Sequence, residues 1–164
     1  MLFCFNFEKN KLSKVLQELN FPKFEYRFKS TENKVSIFDV IRKKFIILQP
    51  EEWVRQHCVH YLINEKKFPK SLINVEKELI INGLKKRYDI VIFNSDGSIH
   101  LIVECKSHSI QIDQTTFDQI ARYNLALNAS YLMVTNGFNH YYCEMDFEAE
   151  RFSFLRDIPN YTPH

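Results

Sequence analysis

Glu76, Asp89, Glu104 and Lys106 are the residues whose types and spacing could do chemistry. They lie in Val75 to Lys106, VEKELIINGLKKRYDIVIFNSDGSIHLIVECK, where three runs of alternating apolar and polar residues meet at Asn82-Gly83 and Asp96-Gly97. Such dipeptides mark hairpin turns, because Asn, Asp and Gly accept the positive φ that tight turns require. Two-residue loops at both sites place Asp89 opposite Glu104 and Glu76 opposite Asp89. Glu78, Arg87 and Lys106 then form the neighbouring row on the same face. Like charges facing each other destabilise a sheet, so the convergence points to function. Clustered carboxylate oxygens suit a hard divalent cation, Mg²⁺ or alternatively Mn²⁺, which would offset their repulsion. A cation held by Asp89 and Glu104 would polarise a phosphodiester oxygen and lower the pKa of a bound water. Lys106 would position that water or meet the charge developing on the phosphorane.

The elements that must position these residues are legible around them. The three runs read as an antiparallel meander whose reverse face, Val75, Leu79, Ile81, Tyr88, Ile90, Ile92, Ile99, Leu101, Val103 and Cys105, is an apolar core face. Upstream, Pro50-Glu51-Glu52 opens a helix carrying Val54, Cys58, Tyr61 and Leu62. Glu51 falls on the Cys58 and Leu62 stripe, as a carboxylate aimed at the site or as an i,i+4 partner of Arg55. His57 and His60 on this helix read as surface histidines, since no third metal ligand is near in sequence. Downstream, a helix is expected over 113–128 with Phe117, Ile120, Ala121 and Leu125 as its core stripe, and Gln119 and Tyr123 together on another face. An apolar strand over 130–135 then lies beside the meander. Asn136-Gly137 turns the chain back along 138–145, and Phe152 and Phe154 suit an edge strand.

Before the first helix, residues 34–48 read as a hairpin with a solvated basic turn at Arg42-Lys43-Lys44. Residues 1–34 form an N-terminal extension, with Phe3, Phe5, Phe7 and a short helix over 11–19, ahead of a single domain over 35–164. Lys66, Lys67 and Lys70 make a basic loop, a phosphate contact or a solubilising one. A chain of 164 residues with 45% hydrophobic content can bury a real core, and its net charge of +2 does not by itself announce nucleic acid. Four scattered cysteines without a CxxC pair fit a reducing cytoplasm. No apolar run reaches the roughly 20 residues of a membrane span. The three glycines leave no Gly-rich phosphate loop.

Asp89 followed by Glu104-Cys105-Lys106 after a hairpin resembles the PD-(D/E)XK nuclease superfamily, with Tyr88 in place of the proline. Gln119-Ile120-Ala121-Arg122-Tyr123 is similar to the QxxxY motif of a subset of those nucleases. Pro50-Glu51-Glu52-Trp53-Val54-Arg55-Gln56, Glu76, Arg87-Tyr88-Asp89 and Asn136-Gly137 together look like the N-terminal nuclease domain of type I restriction enzyme R subunits, over roughly residues 33–145. The resemblance implies an α/β restriction-endonuclease-like core: a central mixed sheet with an antiparallel meander, in the order helix, three strands, helix, strand. It implies a DNA endonuclease with Asp89 and Glu104 as metal ligands and Lys106 as the catalytic lysine. Gln119 and Tyr123 would support substrate handling, and Glu51, or Glu52 if the helix is rotated, would be the acidic residue reaching toward the metal. Glu76 is a metal-ligand candidate by its place in the register. The implied partners are DNA and other restriction-modification or motor subunits. A homodimer, or two binding events, would be needed to cut both strands. No nucleotide-binding motif is present, so a nuclease-like domain without the motor is expected. The alternative is a catalytically silent module that uses the same groove to hold nucleic acid or a partner subunit.

Overall fold

The computed structural model describes residues 15–31, 34–81, 83–125 and 127–162, with the backbone alone for Ile81, Leu84, Tyr123 and Leu125. Strands β1 (Phe28–Thr31), β2 (Lys34–Asp39) and β3 (Lys44–Ile47) form a small antiparallel sheet. Helix α1 (Pro50–Asn64) follows, then β4 (Ile73–Ile81), β5 (Leu84–Phe93) and β6 (Ile99–Cys105). After helix α2 (Gln114–Leu125) come β7 (Tyr131–Thr135), β8 (His140–Asp146) and β9 (Arg151–Leu155). The last six strands make one sheet in the order β4-β5-β6-β7-β8-β9. It is mixed, because β7 runs parallel to β6 while the other neighbours are antiparallel. A parallel pair needs a long crossover, and α2 lies within it. This is the expected mixed α/β architecture. Phe3, Phe5 and Phe7 lie outside the described residues, as do residues 11–14 of the helix expected over 11–19, whose last residues, 17–19, are not helical.

The meander forms, and its first register is the expected one: Glu78 pairs with Arg87 and Ile81 with Leu84, across a turn where Gly83 has φ +78°. The second hairpin differs at its tip. Phe93 pairs with Ile99 and the register shifts between Ile92 and Phe93. Asp96 Oδ1 accepts both the Ser98 amide (2.9 Å) and the Ser98 hydroxyl (2.6 Å), while the Asn94 amide donates to the Ser98 carbonyl (2.8 Å). The loop therefore spans 94–98 rather than two residues. The offset stays at the turn, since Ile92 still faces Leu101 and Ile90 faces Val103 as expected.

The expectation of one apolar and one polar sheet face does not hold. Ile90, Ile92, Leu101, Val103 and Cys105 pack with α1, whereas Val91, Ile102, Leu132 and Val134 pack with Phe117, Ile120 and Ala121 of α2. Both faces are covered because each flank of the parallel β6–β7 pair carries a helix. Tyr88 belongs to the α2 side and Ile90 to the α1 side, although residues two apart on an undisturbed strand share a face. The alternation breaks at Asp89, and across from it Glu76 has φ +51°. The Glu76–Asp89 rung is the one missing between Ile73↔Ile92 and Ile81↔Leu84.

Helix α1 begins at Pro50, whose missing N–H costs nothing in a first turn, with Glu51 and Glu52 complementing the helix dipole. Its residues from Glu52 to Val59 are all buried, so it is enclosed on more than one stripe. Helix α2 starts after Asp113, whose Oδ1 accepts the Thr116 amide at 2.7 Å. Leu19 is buried as well, and the Phe28–Thr31 strand extends the small sheet.

Candidate active site

The site lies where β6 parts from β5, beside the missing rung of the β4–β5 ladder. The β5–β6 pairing stops at Ile90↔Val103, one residue short of Asp89 and Glu104. Released from the ladder, Asp89 turns its carboxylate inward. Oδ2 accepts the Cys105 amide (2.7 Å), and Oδ1 accepts Nη2 of Arg55 (2.7 Å) from helix α1. Glu104 is 8% exposed, with Lys86 Nζ 3.4 Å from Oε1. Burial, and then the Asp89 charge, hold the Glu104 carboxyl above its ordinary range against the pull of Lys86 and Lys106. Burial and then Asp89 also raise Glu51, which Arg55 and Lys106 oppose. Glu51, Asp89, Glu104 and Lys106 thus share one electrostatic neighbourhood. Like charges disfavour joint ionisation there, which is the charge condition a bound cation relieves. Lys106 is half-buried and its amide donates to the Thr135 carbonyl (2.8 Å), anchoring it at the end of β6 beside β7.

The side-chain ion pairs around the site do not all follow the backbone register. Glu78 pairs with Lys85 (3.3 Å) rather than Arg87, and both are surface groups. Arg87 Nε is instead 4.0 Å from Glu76 Oε1. Glu51 makes the i,i+4 pair with Arg55 at 3.2 Å while its side chain stays 47% exposed. Glu52 is the buried acid of the pair. Gln119 is exposed and its side chain makes no hydrogen bond among the described residues, and the Tyr123 side chain lies outside them. The structure therefore brings Glu51, Asp89, Glu104 and Lys106 together, while Gln119 stands exposed on α2.

In the basic turn Lys43 and Lys44 are exposed as expected, but Arg42 is turned away from solvent. Arg42 donates to Asp39 Oδ2 (Nε, 2.6 Å), Glu52 Oε1 (Nη2, 2.8 Å) and Glu76 Oε2 (Nη1, 2.8 Å). The fully buried Asp39 recruits it by accepting the Ile41 and Arg42 amides, both at 2.8 Å, on Oδ1. Burial alone would raise the Asp39 carboxyl, but bonds from the Arg42 amide and guanidinium and the Ile41 amide outweigh it and hold it low. Arg55, 5% exposed, donates to Glu52 Oε2 at 2.5 Å and stands 3.6 Å from Glu76. Gln56 Nε2 reaches Asp39 (3.0 Å) and Glu52 (2.8 Å). These residues were missed because their partners are distant in sequence. The available signal was Arg55 one turn after two acids in a helix otherwise filled with core residues.

One histidine and one lysine also stand elsewhere than expected, while Lys67 and Lys70 are exposed. His57 is 7% exposed, in edge contact with Trp53 (4.1 Å) and beside Tyr26 (4.9 Å), so it is a core residue rather than a surface one. Lys66 is buried and bonds Asp157 at 2.5 Å, holding down the C-terminal segment, so it is no phosphate contact. Among the described residues no group of three His, Cys, Asp or Glu is placed to hold a metal by itself. A cleft of about 490 Å³ is lined by Phe45, Ile47, Glu51, Arg55, Glu76 and Arg87, but by neither Asp89 nor Glu104. A larger one, about 680 Å³, lies by the 94–98 loop and is lined by none of the site carboxylates. No helix among the described residues is long and apolar enough to cross a membrane.

A family model for the type I restriction enzyme R protein N terminus matches residues 50–159. Among solved structures, a fragment assigned as an HsdR subunit of a type I restriction enzyme from Vibrio vulnificus YJ016 is similar at 19% identity and a TM-score of 0.47. The match covers 68% of this chain and 24% of that one. No curated protein matches. The family match runs from the first turn of α1 past the end of β9, across every strand and helix that builds the site. On that basis the chain belongs to the type I restriction enzyme R protein N-terminal family.

Proposed function

We propose that this domain hydrolyses phosphodiester bonds of DNA with a divalent metal, Mg²⁺ or Mn²⁺, as the nuclease part of a restriction system. The observation that carries the proposal is Glu104 beside Asp89 at the open end of β5 and β6. It is a buried carboxyl kept above its ordinary range by burial and by its neighbour's charge, with Lys106 in the same field. The donor chemistry fits a hard cation. Mg²⁺ typically takes one or two carboxylates and completes its shell with water and substrate phosphate, so two protein ligands suffice. Asp89 and Glu104 would hold it, with Glu51 the third acid nearest in charge. Although both Asp89 oxygens accept a hydrogen bond, each carboxylate oxygen keeps a further lone pair.

Bound there, a divalent ion supplies Lewis acidity toward the phosphoryl oxygen and a more acidic water. The chain's own part is to place charge. Asp89 is held by Arg55 and the Cys105 amide, and Lys106 would stabilise the negative charge that builds on the phosphorane oxygens. Gln119 and Tyr123 would help seat substrate from α2. DNA is the proposed substrate, and methylation, specificity and motor subunits are the proposed partners. Cutting both strands would take two copies or two encounters. A second reading, a non-cutting module that holds nucleic acid or a subunit, draws on the already bonded Asp89 carboxylate.

The test is nicking of supercoiled plasmid by purified protein with Mg²⁺ or Mn²⁺. Glu104→Ala and Lys106→Ala should each abolish it while circular dichroism stays unchanged. Cutting that survives both substitutions would sink the mechanism, and DNA retention without cutting or metal dependence would favour the second reading.

A further inference from the structure

We infer that Arg55 is a positioning residue: its buried guanidinium holds the Asp89 carboxylate where Oδ2 also takes the Cys105 amide, and Glu76 serves this clamp rather than a metal. The two bonds to Asp89 come from different elements, Nη2 of Arg55 on α1 at 2.7 Å and the amide of Cys105 on β6 at 2.7 Å. A carboxylate held at both oxygens has one rotamer and one tilt. A planar guanidinium also fixes the relation between its own partners. Nη1 is bound to Glu52 at 2.5 Å, so Asp89 is placed relative to Glu52 through one rigid group.

Glu52 is itself held by Arg42 and Gln56, and Arg42 by Asp39. Glu76 joins the two arginines, 2.8 Å from Arg42 and 3.6 Å from Arg55, and does so from a left-handed backbone conformation in mid-strand. Residues other than glycine avoid that conformation unless the surroundings enforce it. In the regular register Glu76 would stand opposite Asp89 as a second bare carboxylate; here it faces cations. The arrangement is a poor device for stability alone, because Arg55 Nε is buried without a partner among the described residues and buried ion pairs rarely outperform apolar packing. Its output is the orientation of one carboxylate next to Glu104.

The kinetic arm of the test rests on the nuclease reading, and the structural arm does not. The Cys105 amide reports Asp89 directly, through its NMR shift and its hydrogen-exchange rate in full-length protein, with Asp89→Ala defining the unbonded limit. Two variants separate the clamp from folding. Arg55→Lys keeps the charge without the two-pronged reach, and Arg55→Met with Glu52→Gln leaves no lone buried carboxylate at position 52. Both should move the Cys105 amide toward the Asp89→Ala position and speed its exchange about tenfold or more while distant amides stay in place. If plasmid nicking is established, both should lower kcat at saturating Mg²⁺ about 10- to 100-fold, the usual cost of losing a group that orients a ligand, with KM for DNA unchanged. A Cys105 amide unmoved in both variants overturns the proposal, whether or not the protein cuts DNA. A moved amide with wild-type kcat overturns its catalytic part and leaves the nuclease reading standing.

Discussion

Lowering the pH from 7 to 5 should destabilise this fold through His57. The imidazole is 7% exposed, its Nδ1 lies 2.9 Å from the Trp53 carbonyl, and Trp53 and Tyr26 crowd the ring. Nδ1–H donating to that carbonyl fixes the neutral tautomer, so protonation must place a cation among aromatic rings. Burial pushes the pKa down to about 4 from an ordinary 6.5, partly opposed by the Trp53 carbonyl and assisted by nearby His60. The folded value is below the unfolded one, so the unfolded chain binds more protons between them. Stability is full above pH 6.5 and falls as pH drops toward 4. Those two values give a loss of about 2 kcal/mol at pH 5 from His57 alone. His60 and His140, also held low first by burial, add to it in the same direction. Urea unfolding followed by far-UV circular dichroism at pH 7 and pH 5 measures the loss, about 1 M or more in midpoint for a domain of this size. His57→Phe, which keeps a ring in the aromatic cluster, should reduce the pH dependence by that amount. Identical pH slopes for wild type and His57→Phe would refute the reasoning.

Asp39→Ala should cost about 3–5 kcal/mol at pH 7 by urea titration, because it strips a fully buried carboxylate from Arg42 and leaves Gln56 and two amides short of an acceptor. Below pH 4 a further acid loss is expected from Asp39 and Asp157. In both, bonds from neighbours outweigh burial and hold the folded pKa under the unfolded one, so their contribution disappears as pH falls through the folded value; a flat stability profile below pH 4 would contradict it. Gly137→Ala should destabilise far more than Gly83→Ala. Both have positive φ, near +88° and +78°, but a Cβ at 137 would meet Leu19 Cδ2 at 2.8 Å and Val54 Cγ2 at 3.1 Å, while at 83 it meets nothing within 4 Å. The expected melting-temperature losses correspond to about 1 kcal/mol at 83 and at least about 2 at 137. Cys58, Cys105 and Cys143 are buried thiols and should resist an aromatic disulfide reagent until the protein unfolds.

The fold was legible where local chemistry decides it. Hairpin dipeptides announced the β4–β5 and β7–β8 connections, and Pro50-Glu51-Glu52 announced the helix start. The crossover helix Gln114–Leu125 placed the apolar strand Tyr131–Thr135 beside β6. Phe152 and Phe154 do lie on an edge strand. The two-residue loop at Asp96-Gly97 failed because Asp96 captures Ser98, a competition between side chain and ladder that the dipeptide rule does not weigh. The Asp89, Glu104 and Lys106 neighbourhood followed from register. Its support did not, since Arg42 and Arg55 meet Glu76 and Asp89 across 34 residues each, and a basic triplet looks the same whether it faces water or buried acids. His57 was misplaced for a related reason. Histidine is polar enough to suit a surface, and two of the rings that enclose it with Trp53, Phe21 and Tyr26, come from a segment far from it in sequence.

The left-handed residue at Glu76 has one more consequence, for how copies of this protein meet. β4 is an outer strand of the six-stranded sheet, and with its nine residues it offers a long row of backbone donors and acceptors to any extended chain in solution. A strand that changes hand in its middle cannot present that row in one plane. The break leaves short segments on either side, and the second begins with Lys77 and Glu78, both exposed charges. The same kink that turns an acid toward two arginines thus blunts the edge against strand addition, so Glu76→Val, whose β-branched side chain disfavours the left-handed region and favours an extended strand, should trade solubility for aggregation even where folding survives.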